Sequence, residues 1–371
     1  MKLVFVYADN NQEWNSSEWR CVIPAAAINS SPDHQASLLS IAEFTDGSAH
    51  AADLCESADV ILVERNLFGP VLTAIMHWKA RGKAVLANFD DAYDLLPENN
   101  ISHKFWIEGE ARVNRDDKVL HEVIDPPPIT QFKWGLRMVH GAVVASHMLA
   151  EDWKAYTNTA HLPMYLDLDR YKGCVKPETE EIVIGWSGSL SHLHSFSKGV
   201  IHALENVCRA RPQVRIMVGN DRRIFDRLKV PAHQKTMTAW VPHQEWPQVL
   251  ASYDIGLAPM EGEFDARRSW VKVLEYMVVK TPWIASRCPA YQELESFGVL
   301  VENNPDSWEK ALLDMVDRIE HFREKAAGPA YQFALDQGAE RNVDTMIGIY
   351  TELISRAGLN IPEGSKSFSH A

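Results

Sequence analysis

The sequence has few cysteines, and none lies close to another. Five occur among 371 residues, an odd number, at positions Cys21, Cys55, Cys174, Cys208 and Cys288. Zinc clusters and disulfide frameworks need cysteines in pairs or at short, regular spacing. The pattern therefore argues against both kinds of site, and we expect a protein of the reducing cytoplasm.

The sequence also lacks long apolar runs. No stretch approaches the roughly 20 apolar residues that a membrane-spanning helix needs. Residues 1–7 are apolar but too short for a signal peptide, and polar residues follow at once. We therefore expect no integral membrane segment and interpret this start as a first strand.

Positive charge is scarce as well. The 37 Lys and Arg residues face 50 Asp and Glu residues, which leaves a net charge of −13. Such a balance repels nucleic acids and anionic membranes unless basic residues are segregated. One dense basic stretch exists, which we interpret mainly as solvated helix and loop surface: Arg209, Arg211, Arg215, Arg222, Arg223, Arg227 and Lys229.

Length and periodicity favour two α/β domains. Hydrophobic residues make up 46% and charged residues 23% of the chain, as in a soluble globular protein. A chain of this length divides naturally into two domains of about 150–200 residues. Short apolar runs alternate with helical periodicity, the pattern of a parallel doubly wound sheet. Predicted strands lie at residues 3–7, 60–63, 84–88, 142–146, 182–186, 214–218, 255–257 and 283–285, and predicted helices at 71–80, 148–156, 196–210, 246–252, 305–326 and 344–357.

The predicted linker is residues 172–181, which are polar and contain a glycine and a proline. It separates a Rossmann-like domain at residues 1–171 from a second one at 182–343. A helix at 344–358 follows, and the polar residues 359–371 are predicted to be a flexible tail.

Residues 254–286 predict a strand, a loop, a helix and a second strand. Arg268, Lys272 and Glu275 recur at helical spacing and would share one face of that helix. Two cations and a carboxylate at the carboxyl edge of an open sheet suit a nucleotide: cations for phosphates, a carboxylate for ribose or sugar hydroxyls. A solvated face with an ordinary ion pair between Lys272 and Glu275 is the alternative interpretation.

This segment resembles the donor site of glycosyltransferase family 4, whose members have the two-domain GT-B fold. Leu-Glu-Tyr at 274–276 and Pro-Trp-Ile-Ala-Ser at 282–286 match the family's Leu-Glu-Tyr and Pro-Val-Val-Ala-Ser patterns. Many members carry a second Glu eight residues before the one matching Glu275, and here that position is Arg267.

A subset of the family instead has Lys-Ser followed by Lys three residues later. Arg268, Ser269 and Lys272 reproduce that pattern with Arg in place of the first Lys. The resemblance implies that these three residues and Glu275 bind the donor.

Two strand-end turns are further donor-side candidates. Ile-Gly-Trp-Ser-Gly-Ser at 184–189 ends a predicted strand with small residues, so backbone N–H groups can approach a phosphate. A simple turn is the alternative, but similarity to the opening of the family's C-terminal domain implies donor contacts at Gly188 and Ser189. By the same resemblance, Asn220 lies in the second strand-end turn and Trp240 lies where the base is held. A core aromatic is the alternative for Trp240.

Asp90 and Asp91 follow the predicted strand at 84–88. Carboxylates at this end of a parallel strand face the crevice where ligands bind. They resemble the Asp-Asp motif that some family members carry where others have His-Asp, which implies a catalytic role towards the acceptor. Neighbouring residues of an extended strand point to opposite sides, so we expect at most one to face the crevice. Capping of a helix or turn is the alternative.

Three weaker acceptor-side candidates remain. Glu18 and Arg20 follow the first predicted strand, where the family's N-terminal loop approaches donor and acceptor, although the usual Gly-Gly of that loop is absent. His192 follows the Ser-Gly-Ser turn and is a candidate for approaching the diphosphate, with a solvated loop residue as the alternative.

The resemblance implies two doubly wound domains facing a cleft, with a nucleotide-sugar donor such as a UDP-sugar on the C-terminal domain and the acceptor on the N-terminal domain. It further implies a hexosyltransferase that retains anomeric configuration and needs no metal and no cofactor besides the sugar nucleotide. The last helix is expected to cross back to the first domain. A glycan, a lipid-linked sugar, a small molecule and a modified base in DNA stay open as acceptors.

Two alternatives are kept. One is a hydrolase or epimerase of nucleotide sugars on the same fold. The other is a non-catalytic protein that binds nucleotide sugars, which Arg267 in place of the family Glu makes worth testing.

Overall fold

The structure is a computed structural model that describes residues 1–10, 15–115, 118–188, 192, 194–219 and 221–359. The chain divides into two compact units. The first comprises Met1–Leu96, His103–Tyr165 and Ala339–Ala371, and the second Pro97–Ser102 and Leu166–Gly338. The tail predicted at 359–371 lies outside the described residues from residue 360 onwards.

The first unit contains a parallel six-stranded sheet and a separate hairpin. Its strands are β1 (Lys2–Tyr7), β2 (Gln35–Ser40), β3 (Val60–Glu64), β4 (Ala84–Phe89), β5 (Glu110–Arg115), β6 (Lys118–Val123), β7 (Gly141–Val144) and β8 (Thr159–His161). The sheet order is β2-β1-β3-β4-β7-β8, and β5 and β6 form the antiparallel hairpin. Every residue of β3, β4 and β7 is buried, as expected for parallel strands covered on both faces. Because β2 and β3 lie on opposite sides of β1, the topological switch point of this sheet lies between β1 and β3.

In the described part of the first unit, six helices connect the strands: α1 (Ile23–Asn29), α2 (Ile41–Asp46), α3 (Ala49–Ser57), α4 (Pro70–Ala80), α5 (Pro128–Met138) and α6 (His147–Trp153). A single wide turn, Glu18–Val22, leads into α1. Ser40 begins α2 with a capping box, in which Ser40 Oγ accepts from the Glu43 amide and Glu43 accepts from the Ser40 amide.

The second unit contains the other six-stranded parallel sheet. Its strands are β9 (Ile182–Ser187), β10 (Val214–Gly219), β11 (Lys235–Thr238), β12 (Ile255–Ala258), β13 (Trp283–Ser286) and β14 (Val299–Val301). The order is β11-β10-β9-β12-β13-β14, that of a Rossmann sheet, in which the first three strands run outwards in one direction and the next three in the other. The switch point of this sheet therefore lies between β9 and β12.

Nine helices of this unit lie within the described residues: α7 (Lys198–Ala210), α8 (Arg222–Arg227), α9 (Trp246–Ala251), α10 (Gly262–Asp265), α11 (Val271–Val278), α12 (Pro289–Gln292), α13 (Pro305–Asp317), α14 (Ile319–Lys325) and α15 (Tyr331–Asp336). The prediction of one continuous helix at 305–326 was wrong. It is interrupted at Arg318, whose φ of −124° and ψ of 31° are not helical, so α13 and α14 are separate.

The last helix, α16 (Val343–Arg356), belongs to the first unit. The Tyr350 ring meets the edge of Phe5 in β1, with ring centroids 6.4 Å apart. Met346 and Leu353 are buried in the same core cluster as β1, β3, β4 and β7 residues. Residues from the two ends of the chain therefore share one hydrophobic core.

None of the helices in the described part of the chain combines the length and the apolar composition that crossing a membrane requires.

Candidate functional site

The switch point of the second sheet gathers polar side chains from two segments. The loop after β9 contains His192 and His194, and the segment after β12 contains Asp265 at the end of α10 and Arg268 just beyond it. We call this region the second-unit edge, defined by His192, Asp265, Arg268, Lys272 and Glu275. In an open α/β sheet, the carboxyl ends of the strands at the switch point form the usual ligand crevice.

Asp265 joins the two loops. Its Oδ2 accepts hydrogen bonds from Ser195 Oγ at 2.5 Å and from the Glu261 amide at 2.8 Å. Its Oδ1 lies 3.2 Å from His194 Nε2 and 3.7 Å from Arg268 Nη1. Burial opposes ionisation of this carboxyl, but His194, Arg268 and Ser195 together hold its pKa below the usual range. The result is a buried carboxylate that fixes the position of Arg268.

Arg268 also contacts the β9 loop. Its Nη1 donates to His192 Nδ1 at 3.1 Å, and its guanidinium lies over the Phe264 ring, 5.4 Å from the centroid. Burial lowers the pKa of His192, and the charges of Arg268 and Lys272 lower it further. His192 is therefore neutral and accepts a hydrogen bond at Nδ1, which leaves the two cations as the positive groups of this edge.

Lys272 points at the end of β9, where its Nζ donates to the carbonyl oxygen of Ser187. Burial lowers the pKa of Lys272 to about 8; the Glu275 carboxylate opposes this shift and the Arg268 guanidinium adds to it. An anion bound here would reverse that shift, because it would stabilise the ammonium form.

Glu275 lies one helical turn further along α11. Its Oε1 accepts hydrogen bonds from Tyr171 OH and from Trp246 Nε1, both at 3.0 Å. The Tyr171 and Trp246 bonds replace the ordinary Lys272–Glu275 ion pair that the sequence allowed, since Lys272 donates to Ser187. The carboxylate is half-buried and held by two neutral donors.

The predicted helix through Arg268, Lys272 and Glu275 was wrong at its start. The segment forms two short helices, α10 and α11, and Arg268 lies between them. The amides of Arg267 and Arg268 bond to carbonyls three residues back, which ends α10 in a turn. Arg268 thus reaches the edge from a loop and Lys272 from a helix.

Three of the remaining donor-side candidates, Gly188, Ser269 and Trp240, lie within the described residues. Gly188 follows β9, and a Cβ there would lie 2.8 Å from Trp186 Cζ2, so only glycine lets the backbone pass this ring. Ser269 precedes α11, and its Oγ accepts from the Val271 amide at 3.4 Å. Trp240 is 54% exposed, which removes the core-aromatic alternative. Ser189 and Asn220 lie outside the described residues.

The first sheet carries a second group of polar side chains at its carboxyl edge. We call it the first-unit edge, defined by Asp9, Ser17, Glu64, Arg65 and Asp90. Asp90 directly follows β4; its Oδ2 accepts from Ser16 Oγ at 2.6 Å, and its Oδ1 accepts from Tyr93 OH at 3.1 Å. Asp90 and the next residue, Asp91, are both half-buried.

The segment that follows Asp90 and Asp91 forms turns, and the next helical turn begins only at Lys104. Neither aspartate therefore caps a helix. Each aspartate is therefore a candidate either for contacting a ligand or for stabilising the local turn.

Glu18 and Arg20 are both only 2% exposed. The Arg20 guanidinium donates to Asn88 Oδ1 at 2.6 Å and to the carbonyl oxygens of Leu162 and Val143 at 2.7 and 3.2 Å. These bonds tie the wide turn before α1 to β4, β7 and the segment after β8. In this geometry Arg20 supports the sheet edge rather than presenting a charge to solvent.

The basic stretch is largely paired with carboxylates. Arg211 contacts Asp317 at 2.6 Å and Arg215 contacts Glu181 at 2.5 Å. Arg222 and Arg223 contact Asp226 and Asp221 at 2.9 and 3.1 Å. This pairing weakens the positive field that a nucleic-acid ligand would need.

Asp265 and Glu64 are site residues that the sequence did not reveal. Neither residue belongs to a motif that the sequence analysis identified, and each contacts a partner far along the chain, Ser195 for Asp265 and Ser17 for Glu64. The only local signal is that both follow a short apolar run within a few residues. Within the described ranges, His, Cys, Asp and Glu side chains form no group of three or more that could hold a metal ion.

Comparison with known proteins agrees with this architecture. Residues 181–318 match the model of the family described as Glycosyl transferases group 1. HepE from Anabaena, solved with UDP and glucose, is 12% identical with a TM-score of 0.65 over 95% of this chain and 99% of that one. No curated protein matches the sequence at a significant level.

Two other solved structures share the fold. Sucrose-phosphate synthase from Thermosynechococcus elongatus is 11% identical with a TM-score of 0.63, over 95% of this chain and 99% of that one. A protein described as a putative UDP-N-acetylglucosamine 2-epimerase from Listeria monocytogenes is 10% identical with a TM-score of 0.54, over 95% and 96%. At these identities the likeness shows the fold alone, and that fold is shared by transferases and a protein described as an epimerase.

The predicted fold and the predicted resemblance are confirmed: two Rossmann-like units with six parallel strands each make up the GT-B fold of glycosyltransferases, and residues 181–318 match the family model of the group 1 glycosyl transferases.

Proposed function

We propose that this protein is a glycosyltransferase that moves a sugar from a nucleoside-diphosphate sugar to an acceptor hydroxyl. The observation that carries the proposal is the convergence of Arg268 and Lys272 on the end of β9, inside the segment that matches the glycosyl transferase family. Two cations at a strand end provide the charge that a diphosphate requires. HepE was solved with UDP, which makes a UDP-sugar the first donor to test.

In the proposed reaction, the bond between the anomeric carbon and the diphosphate oxygen breaks, and the acceptor oxygen forms the new bond on the same face. The departing diphosphate takes the acceptor proton, which Asp90 shares while the new bond forms. Arg268 and Lys272 stabilise the negative charge that develops on the leaving group. Asp90 orients the acceptor hydroxyl. Retention and hexosyl transfer rest on the family resemblance.

Nucleotide binding is the direct test of the second-unit edge. A ligand that binds only the folded state raises stability by about 2.7 kcal/mol at a hundred times its Kd. For a unit of this size, we expect UDP or GDP to raise the Tm by roughly 5–10 °C. Differential scanning fluorimetry across nucleoside diphosphates measures the shift, and Lys272→Ala should abolish it.

No shift with any nucleoside diphosphate at millimolar concentration would contradict the donor site. If UDP binds but UDP-sugar is hydrolysed or epimerised equally fast with and without acceptors, the protein is not a transferase. Binding without turnover on any acceptor would favour the non-catalytic alternative.

Glu275 is expected to hold ribose or sugar hydroxyls of the donor. Glu275→Gln keeps the side-chain size and an oxygen for Tyr171 and Trp246, but it loses charge-assisted hydrogen bonds worth roughly 1.5–3 kcal/mol each. Donor affinity, measured by calorimetric titration, should therefore fall by about tenfold or more while the Tm barely moves.

The matched control is Tyr171→Phe, which removes one donor to Glu275 and leaves the carboxylate in place. We expect this variant to bind the donor within a few-fold of the unaltered protein. Normal donor affinity in the Gln variant would assign Glu275 to local structure.

A further inference from the structure

Glu64 is a completely buried carboxyl at the switch point of the first sheet. It is the last residue of β3 and has no exposed surface. Its Oε2 accepts from the Ala8 amide at 2.9 Å and lies 2.5 Å from Ser17 Oγ. It therefore connects the ends of β1 and β3, where ligands of open α/β sheets bind.

The Ser17 hydroxyl lies between two carboxyl groups. Its Oγ is 2.5 Å from Glu64 Oε2 and 2.9 Å from Asp9 Oδ2. A hydroxyl has one hydrogen and can donate to only one of these oxygens. The other short contact needs a second proton, which one of the two carboxyl groups must supply.

Arg65 decides which carboxyl group holds that proton. Its Nη1 and Nη2 donate to the two oxygens of Asp9, and Nη1 also donates to Glu64 Oε1 at the longer distance of 3.3 Å. The guanidinium thus makes two charge-assisted bonds to Asp9 and one longer bond to Glu64, so it compensates negative charge better at Asp9 than at Glu64. The proton therefore lies on Glu64, which donates to Ser17, while Ser17 donates to Asp9.

The turn after Glu64 is strained in a way that serves this arrangement. Arg65 has a φ of 27°, a conformation that residues with a Cβ rarely adopt. Its amide still donates to the carbonyl oxygen of Asn88 at 3.0 Å. Strain of this kind persists where the surrounding contacts over-determine it, and it clusters at functional sites.

The loop that contains Ser17 also binds Asp90. Ser16, the neighbour of Ser17, donates to Asp90 Oδ2 at 2.6 Å. A displacement of Ser17 would therefore move the hydrogen-bond donor of Asp90. This contact links the buried Glu64 to the residue expected to orient the acceptor.

We propose that Glu64 is a positioning residue that carries a proton in the folded protein and, through Ser17, holds Asp9, Arg65 and the Asp90-binding loop in the arrangement needed for transfer. Its effect on turnover rests on the proposed glycosyltransferase function; its protonation does not. Loss of the proton would place two carboxylates on either side of one hydroxyl and draw Arg65 away from Asp9.

The electrostatics of the first-unit edge support this proposal. Burial raises the pKa of Glu64 to about 7; Arg65, Ser17 and the Ala8 amide oppose the shift and Asp9 adds to it. Cys21 also faces the carboxyl, with Sγ 3.7 Å from Oε2, and burial raises the pKa of that thiol so that it stays neutral. The charge of Arg20 and the Tyr93 hydroxyl act on Glu64 from further away.

The ionisation of Glu64 makes the folded protein less stable as pH rises. Because folding raises the pKa of Glu64, the folded state binds more protons than the unfolded state between about pH 4.5 and 7. The stability that Glu64 contributes is fully present below that window and is lost as pH rises through it. Burial lowers the pKa values of His140, His161 and His243 to about 4, which gives the opposite slope. That slope is shared by any Glu64 variant and cancels in a comparison.

The experiment compares the unaltered protein with Glu64→Gln, which keeps a neutral donor at this position. The matched control is Glu56→Gln, which alters a surface glutamate of α3 that pairs with Arg81. Side-chain carboxyl resonances of ¹³C-labelled glutamate are followed by NMR from pH 4 to 9. We expect one resonance to titrate near pH 7 in the unaltered protein and in the control, and to be missing from the Gln variant.

Turnover is then measured at saturating donor, so that a change in donor binding by Lys272 does not contribute to the measured pH dependence. Above about pH 7, kcat of the unaltered protein should fall by up to about tenfold per pH unit, whereas the Gln variant should keep its kcat to at least pH 8. Ser17→Ala, which breaks the link, should lower kcat at every pH while leaving UDP affinity unchanged.

An ordinary titration of every glutamate near pH 4.5 would overturn the proposal, as would a Gln variant with the alkaline fall of the unaltered protein. If no acceptor supports turnover, the NMR titration and the pH dependence of Tm in the Gln variant still decide whether Glu64 holds a proton. Failure of the proposed function is thereby distinguished from failure of this inference.

Discussion

Replacing Asp90 with asparagine should lower turnover by roughly 10²–10⁴-fold and leave donor binding unchanged. Asp90 directly follows β4, and its two carboxylate oxygens accept hydrogen bonds from Ser16 and Tyr93. Asparagine has nearly the same size, but it carries no charge and cannot share the proton of an acceptor hydroxyl as the new bond forms. The measurement is kcat with a UDP-sugar and a responsive acceptor, beside a UDP titration of the same sample.

Asp91→Asn is the matched control, since it removes the neighbouring carboxylate in the same turn. We expect a much smaller effect from it, because Asp91 lies one residue further from the end of β4 and nearer the following turn. A fold defect would lower the Tm of the Asp90 variant, which calorimetry detects. If both asparagine variants turn over normally, the acceptor is oriented elsewhere.

Removing the chain after Asn342 should unfold the first unit. The deletion takes away α16, whose buried side chains pack on β1, β7 and α1. Burying one large apolar side chain contributes roughly 1.5–3 kcal/mol, and a whole domain is stable by only about 5–15 kcal/mol. The side chains lost from the core are Val343, Met346, Tyr350, Leu353 and Ile354.

Calorimetry should show the loss of one unfolding transition and the persistence of another that UDP still raises. A chain ending at Leu359 retains α16 and serves as the control. Leu353→Ala, at a side chain only 1% exposed, should cost about 2–5 kcal/mol of the first unit's stability. A truncated protein that melts like the full chain would show that α16 is dispensable for this core.

The sequence periodicity was sufficient to predict the central strands of both sheets, but it did not predict their edge strands. Of the six described strands that the periodicity did not predict, two form the separate hairpin, β5 and β6. The other four are the edge strands of the two parallel sheets: β2, β8, β11 and β14. An edge strand such as β11, Lys-Thr-Met-Thr, has no residue that is fully buried. Such a strand shows neither a continuous apolar run nor strict alternation, so its pairing with β10 decides its conformation.

Candidate site residues could be identified from the sequence where they lie close together in it. Arg268, Lys272 and Glu275 fall within eight residues and were found by spacing and by family pattern. Asp265 contacts Ser195, 70 residues away, and Glu64 contacts Ser17, 47 residues away. Contacts at that separation depend on which strands become neighbours in a sheet, which local patterns do not reveal.

The division of the chain between the units has a consequence for biosynthesis. The second unit is drawn almost entirely from the continuous stretch Leu166–Gly338, whereas the core of the first unit needs α16 from the far end of the chain. On the ribosome, the second unit can complete its core while the sheet of the first unit still has an uncovered apolar face. Incompletely packed faces of this kind are prone to aggregate. We therefore expect the first unit to complete its core last although it is synthesised first, and its nascent form to be the stage most exposed to aggregation.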